Sequence, residues 1–274
     1  MTDTKTLIEK FGIRANKSLG QNFLHRTDLL EEIADAAAGT PNVLEIGAGL
    51  GVLTSLLCQR FEKAVTVEID RSLKEVTEYS LKDVSNHTMV YGDFLKVKPD
   101  TLTQYFTDGG ITVCGNLPYN ITGNIITKLL KNRTMFEKAV IMIQKEAAQK
   151  LCATPSDKNY RAISVLTGYF CECTPLFDVS PDCFIPQPHV TSTVVELKFR
   201  KELMTSSENE RGFFEFVNRV FSQRRKKLVS IFQSPDARQK ALKTLEKLGY
   251  CENTRGEELL PNELCALYLE TLCK

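Results

Sequence analysis

From residue 43 to residue 151, short apolar runs alternate with stretches of helical period, and this alternation limits the chain to one architecture. Residues 43–46, 63–69, 87–91, 111–114 and 139–143 read as strands. Residues 50–60, 72–81, 121–130 and 146–151 read as the helices between them, with a short helix near 102–106. A strand that follows another in parallel needs a long crossover, and a helix supplies it. The expectation is an α/β fold with a parallel sheet covered on both faces. A helix at 28–38, stopped by Gly39-Thr40-Pro41, precedes the first strand. Helix 161–168 and two closing strands, 172–179 and 192–199, complete the unit.

The pattern changes after residue 199. Residues 200–212 are polar and read as a flexible linker. Beyond them 213–221, 225–232, 237–248 and 262–272 all carry helical period. The 274 residues therefore divide into an α/β domain, 1–200, and a small all-α domain, 201–274. The net charge of +1 gives no global attraction to nucleic acid, so such a partner must meet a local patch. The nine cysteines are scattered without a C-x-x-C pair, and an odd number fits a disulfide framework badly. They read as reduced thiols of a cytoplasmic protein. No His cluster accompanies them, so no metal is expected. No apolar run approaches the roughly 18–20 residues of a membrane span, and no signal-peptide core is present.

Four successive strand ends carry chemistry. The first runs into Glu45-Ile46-Gly47-Ala48-Gly49-Leu50-Gly51. Glycines there let a ligand approach the backbone, and the next helix offers free amides. A dinucleotide fingerprint would place its third glycine at residue 52, which is Val52; here the glycine comes one residue early, at Gly51. An acid followed by G-x-G-x-G is the methyltransferase pattern. The second strand ends at Glu68, whose carboxylate has room for both ribose hydroxyls of a nucleoside. The third ends at Asp93, placed to accept from an adenine amine. The fourth ends in Asn116-Leu117-Pro118-Tyr119. The Asn116 amide oxygen and the Leu117 carbonyl suit an exocyclic amine, Pro118 forces Leu117 out of the helical region, and Tyr119 offers a stacking face.

These residues resemble the ribosomal RNA adenine dimethyltransferase family. Two further stretches are similar to its motifs: Lys17-Ser18-Leu19-Gly20-Gln21-Asn22-Phe23-Leu24, and Phe184-Ile185-Pro186-Gln187-Pro188-His189-Val190-Thr191-Ser192. The resemblance implies S-adenosylmethionine as cofactor and a seven-stranded Rossmann-like sheet with a helical C-terminal domain. It implies that Gln21, Asn22 and Leu24 border the cofactor together with Gly47, Gly49, Gly51, Glu68, Asp93 and Asn116. It implies that Tyr119 and Phe184 sandwich a flipped base beside Asn116, Leu117 and Pro118. The substrate it implies is a pair of adjacent adenines near the 3′ end of small-subunit ribosomal RNA. Arg219, Arg224, Arg225, Lys226 and Lys227 form the densest basic cluster and are the expected RNA contacts. A monomer acting on a pre-formed small subunit is the expectation. Two readings compete: a large-subunit enzyme of the macrolide-resistance type, and a ribosome assembly factor with secondary catalysis.

Overall fold

The computed structural model describes residues 2–273. Its strands are β1 (Phe23–Leu24), β2 (Asn42–Ile46), β3 (Lys63–Glu68), β4 (His87–Tyr91), β5 (Ile111–Asn116), β6 (Lys138–Gln144), β7 (Cys171–Val179), β8 (Phe184–Ile185) and β9 (Ser192–Phe199). Its helices are α1 (Thr4–Phe11), α2 (Thr27–Ala37), α3 (Val52–Arg60), α4 (Lys74–Ser80), α5 (Thr122–Lys131), α6 (Lys145–Leu151), α7 (Ala162–Phe170), α8 (Ser207–Ser222), α9 (Pro235–Lys247) and α10 (Pro261–Leu272). The seven-stranded sheet has the order β4-β3-β2-β5-β6-β9-β7. Neighbours from β4 to β6 pair in parallel. The sheet is mixed rather than wholly parallel, because β9 runs antiparallel to β6, with Ile141 opposite Val195. Every residue of β2 is buried, and so are most of β3, β5 and β6, as strands covered on both faces must be.

From β2 the chain crosses first towards β3 and β4, then back to β5 and β6 on the other side. The crevice above the carboxyl ends of β2 and β5 is thus a topological switch point, where ligands bind in open α/β sheets. The two strands approach closely there. A Cβ on Gly115, at φ 155°, would lie 2.5 Å from the Ile46 carbonyl oxygen. Gly115 is therefore required by strand packing.

The chain forms two compact units. One comprises residues up to 148 together with 174–199; the other comprises 149–173 and everything from 200 onward. Residues 149–173 thus cluster with the helical unit and not with the sheet, where the expected boundary had them. The cause is aromatic packing: Tyr169 and Phe170 of α7 stack on Phe213 and Phe214 of α8, with ring centres 4.7 and 4.9 Å apart. The Tyr169 hydroxyl also accepts from the Thr205 N–H at 2.9 Å.

The expected linker is partly helix. Residues 207–212 form the first turns of α8, where Glu208 and Glu210 favour the positive end of the helix dipole. Residues 225–232, expected to be helical, contain only a 3-10 turn at Leu228–Ile231. Two of the nine cysteines are also not free thiols. Cys152 and Cys173 are joined in a disulfide, with Cα atoms 5.7 Å apart, because α7 returns the chain beside the end of α6. No helix among the described residues is long and apolar enough to cross a membrane.

Candidate active site

The loop after β2 opens its backbone by placing Gly47, Gly49 and Gly51 at φ 83°, 53° and 79°. Side-chain-bearing residues rarely adopt that left-handed region. Gly51 then caps α3, so the helix amides begin immediately behind the loop. Gly47 and Gly49 line a cavity at the switch point, together with Glu68 and Asp93.

Glu68 is held from both sides. One carboxylate oxygen accepts from the Gly49 N–H at 3.0 Å and the other from the Asp70 N–H at 2.7 Å. Burial raises its pKa against the pull of those amides. Each oxygen retains a lone pair for a further donor, so two neighbouring hydroxyls are matched. Asp93 accepts from the Leu95 N–H at 2.9 Å through one oxygen, which fixes its rotamer at the cavity wall.

Glu45, which the sequence marks only as the acid ahead of the loop, is fully buried on the same wall. Thr54 and Thr66 both donate to one of its oxygens, at 2.6 and 3.0 Å. The other oxygen has no hydrogen-bond partner among the described residues. Burial pushes its pKa up to about 7. A buried carboxylate with one oxygen unpartnered, on a residue that lines the cavity, suits a nearby positive charge.

Asn116 is the last residue of β5, and its amide nitrogen donates to the Asn22 carbonyl at 2.9 Å. A carbonyl only accepts, so this bond decides which way the amide lies: Nδ2 faces Asn22 and Oδ1 faces away, meeting no donor among the described residues. The Leu117 N–H is used by the Met142 carbonyl at 3.0 Å. Its own carbonyl meets no donor among the described residues. The Pro118 carbonyl closes the turn, accepting from the Ile121 N–H at 3.2 Å and the Thr122 hydroxyl at 2.9 Å. The Tyr119 hydroxyl lies 2.7 Å from Ser192 Oγ, at the start of β9.

The segment containing Gln21, Asn22 and Leu24 lies along the cavity, and side chains tie it down. Gln21 donates to Asp70 at 2.6 Å and accepts from the Asn16 N–H at 2.7 Å. β1 pairs with β8, placing Leu24 opposite Phe184. That pairing overturns the expected position of Phe184. Its ring is 2% exposed, packed in the core behind β1, and it does not line the cavity. The sandwich with Tyr119 is not assembled in this conformation.

The basic cluster also divides. Arg224 is paired with Glu257, and Lys227 lies 3.3 Å from Glu252. Arg219, Arg225 and Lys226 are exposed. Sequence alone does not distinguish these two groups, because the acids that pair with Arg224 and Lys227 lie more than twenty residues away.

The family model described as ribosomal RNA adenine dimethylase matches residues 12–268. The chain belongs to the ribosomal RNA adenine dimethylase family. A protein of Alkaliphilus metalliredigens named ribosomal RNA small subunit methyltransferase A is 36% identical, covering 99% of this chain and 96% of the relative. One of the same name from a Geobacillus species is 37% identical, covering 96% and 94%. Among solved structures, a dimethyladenosine transferase from Plasmodium falciparum superposes with a TM-score of 0.76 at 28% identity, covering 90% of this chain and 96% of that one. The 23S rRNA methyltransferase ErmE superposes at 0.71 with 24% identity, covering 91% and 99%, which speaks for the fold. Membership makes the chain an rRNA adenine methyltransferase, and the expected Rossmann-like fold is the one observed.

Proposed function

We propose that this dimethylase transfers methyl groups from S-adenosylmethionine to N6 of two adjacent adenines near the 3′ end of small-subunit ribosomal RNA, ending at dimethyladenosine. The observation that carries the reading is the fixed amide of Asn116, whose free Oδ1 and the neighbouring Leu117 carbonyl offer two acceptors at the end of β5. An adenine N6 amine has two protons to give.

The chain's residues fit the cofactor. Glu68 would accept the ribose hydroxyls and Asp93 the base amine. The glycine loop would hold the amino-acid tail, and the Glu45 carboxylate would favour its ammonium group. When bound, S-adenosylmethionine supplies an electrophilic methyl group on a sulfonium.

Asn116 and Leu117 act on the nucleophile. The adenine amine is poor because its lone pair is delocalised into the ring. Two acceptors on its protons favour a pyramidal nitrogen and stabilise the positive charge that develops there. Their fixed placement would also orient the nitrogen for attack, and orientation of this kind contributes roughly 7–11 kcal/mol. No dedicated base is needed, since the amine proton becomes acidic as the new bond forms and leaves to water. Tyr119 stacks on the base, which contributes about 1–3 kcal/mol towards the cost of flipping it out. Arg219, Arg225 and Lys226 contact RNA phosphates.

The relatives named for the small subunit, at 36–37% identity over nearly the whole chain, support that substrate over large-subunit RNA. The reading takes the assembled particle as substrate, a monomeric enzyme and the cytoplasm as its compartment. The test is methyl transfer from labelled S-adenosylmethionine to undermethylated small subunits, with large subunits, naked RNA and DNA in parallel. Dimethyladenosine on the small subunit alone is the expected result. Label on large-subunit RNA, or tight cofactor binding without transfer, overturns it.

A further inference from the structure

Lys128 lies in α5, six residues after its first residue and outside every motif the sequence offers. Its ammonium has three protons, and three backbone carbonyls take them. Phe94 accepts at 2.5 Å, Leu95 at 3.1 Å, and Val97 also accepts. The same nitrogen sits 4.9 Å from the centre of the Phe94 ring, within cation–π range. No carboxylate forms an ion pair with it among the described residues.

The three carbonyls belong to the turn that begins at Asp93. The N–H groups of that turn point the other way: Leu95 donates to the Asp93 carboxylate, while Lys96 and Val97 donate to the Asp93 carbonyl. The turn is thus a short helical cap with its amides gathered on Asp93 and its carbonyls gathered on Lys128. Such carbonyls otherwise need water or a cap. Here a half-buried lysine supplies all three donors, from the helix that starts directly behind Tyr119. Phe94, buried beneath this ammonium, lines the cavity beside Asp93.

We infer that Lys128 is a positioning residue for the cofactor's base, setting the Asp93–Phe94 wall through the carbonyls of residues 94, 95 and 97. The inference rests on the proposed role of the cavity as the S-adenosylmethionine site. Lys128 touches neither cofactor nor substrate; it acts through Asp93 and Phe94. It also ties that wall to α5.

The experiment uses the full chain and two probes, S-adenosylhomocysteine and S-inosylhomocysteine, measured by calorimetry. The inosine analogue keeps the ribose and amino-acid tail and lacks the exocyclic amine that Asp93 accepts. Wild type should prefer the adenosine compound. In Lys128→Met that preference should fall by about tenfold, the loss of roughly one hydrogen bond's discrimination. The KM for S-adenosylmethionine should rise with kcat at saturating cofactor nearly unchanged. Lys128→Arg, which restores donors to the carbonyls, should recover most of the preference. A merely structural lysine would weaken both probes equally and leave their ratio intact, and that result overturns the inference. If Lys128→Met fails to fold, an unchanged preference in Lys128→Ala, which likewise offers no donor to the carbonyls, overturns it equally. Failure of wild type to bind S-adenosylhomocysteine would instead overturn the cofactor reading itself.

Discussion

The Tyr119 hydroxyl and Ser192 Oγ are 2.7 Å apart, which joins the turn after β5 to the first residue of β9. Ser192 is fully buried, so its hydroxyl has no water to compete for it. The bond fixes the tilt of the Tyr119 ring at the cavity and gives the last residue of the 184–192 motif a physical role. Ser192→Ala and Tyr119→Phe should each lower kcat about three- to tenfold, the range of one hydrogen bond. The double variant should be no worse than either single one, because both remove the same bond. Additive losses, measured as methyl transfer at saturating cofactor, would mean that the two residues act separately.

Asn116→Ala removes the oriented acceptor and should reduce kcat by about 100-fold or more, as loss of a preorganised polar group at a reacting centre does. Cofactor affinity should fall only modestly, since Glu68 and Asp93 remain. Asn116→Asp is the sharper variant. It places a carboxylate oxygen against the Asn22 carbonyl, where an N–H now donates at 2.9 Å. It should therefore also loosen the segment from Asn16 to Leu24, read as faster amide exchange there. Equal loss of turnover and cofactor binding in Asn116→Ala would move this residue to a purely cofactor-holding role.

Glu45 makes stability and cofactor affinity respond to pH in opposite senses. Its folded pKa of about 7 lies above the ordinary 4.5. Between those values the folded chain holds a proton that the unfolded chain has released. Stability therefore falls as pH rises through this window and stays lower above it, by roughly 3 kcal/mol. Glu68, also raised by burial, contributes with the same sign, so Glu45→Gln should flatten the slope only in part. A cationic ligand favours the Glu45 carboxylate, so S-adenosylmethionine affinity should increase as pH rises through about 7. Thermal unfolding and calorimetry from pH 5 to about pH 8.5 check both. An affinity that stays flat in wild type would show that the unpartnered oxygen does not face the ligand's charge.

The order of strands and helices up to residue 151 is legible because period and length separate them, and the residues at four strand ends are legible because a sheet edge collects them. What stays hidden is long-range. Phe184 looks like a stacking residue in its motif, yet its pairing opposite Leu24 buries it, and no local signal records that pairing. Glu45 reads as part of a loop signature, while its unpartnered oxygen depends on where Thr54 and Thr66 fall. Lys128 carries no sequence mark, since its partners are backbone carbonyls some thirty residues away. The Cys152–Cys173 pair is likewise set by the return of α7 and not by spacing.

The basic cluster of the helical unit allows the last prediction, because the structure separates charges that sequence groups together. Arg224 is tied to Glu257 and reaches the Lys158 and Asp157 carbonyls at 3.4 and 3.5 Å. Its removal should lower the thermal midpoint of the helical unit, since partly buried Glu257 loses its partner. RNA affinity should change little. Arg225 and Lys226 are exposed on the turn after α8, and the proposed function has them meet phosphate. Arg225→Ala and Lys226→Ala should leave the melting point within about 1 °C, as surface substitutions do. Each should reduce the slope of log affinity against log salt by about 1. Binding of small subunits measured at several salt concentrations checks this. An unchanged slope in the Arg225→Ala, Lys226→Ala double variant would remove the cluster from the RNA-binding surface and leave it as a solvated face.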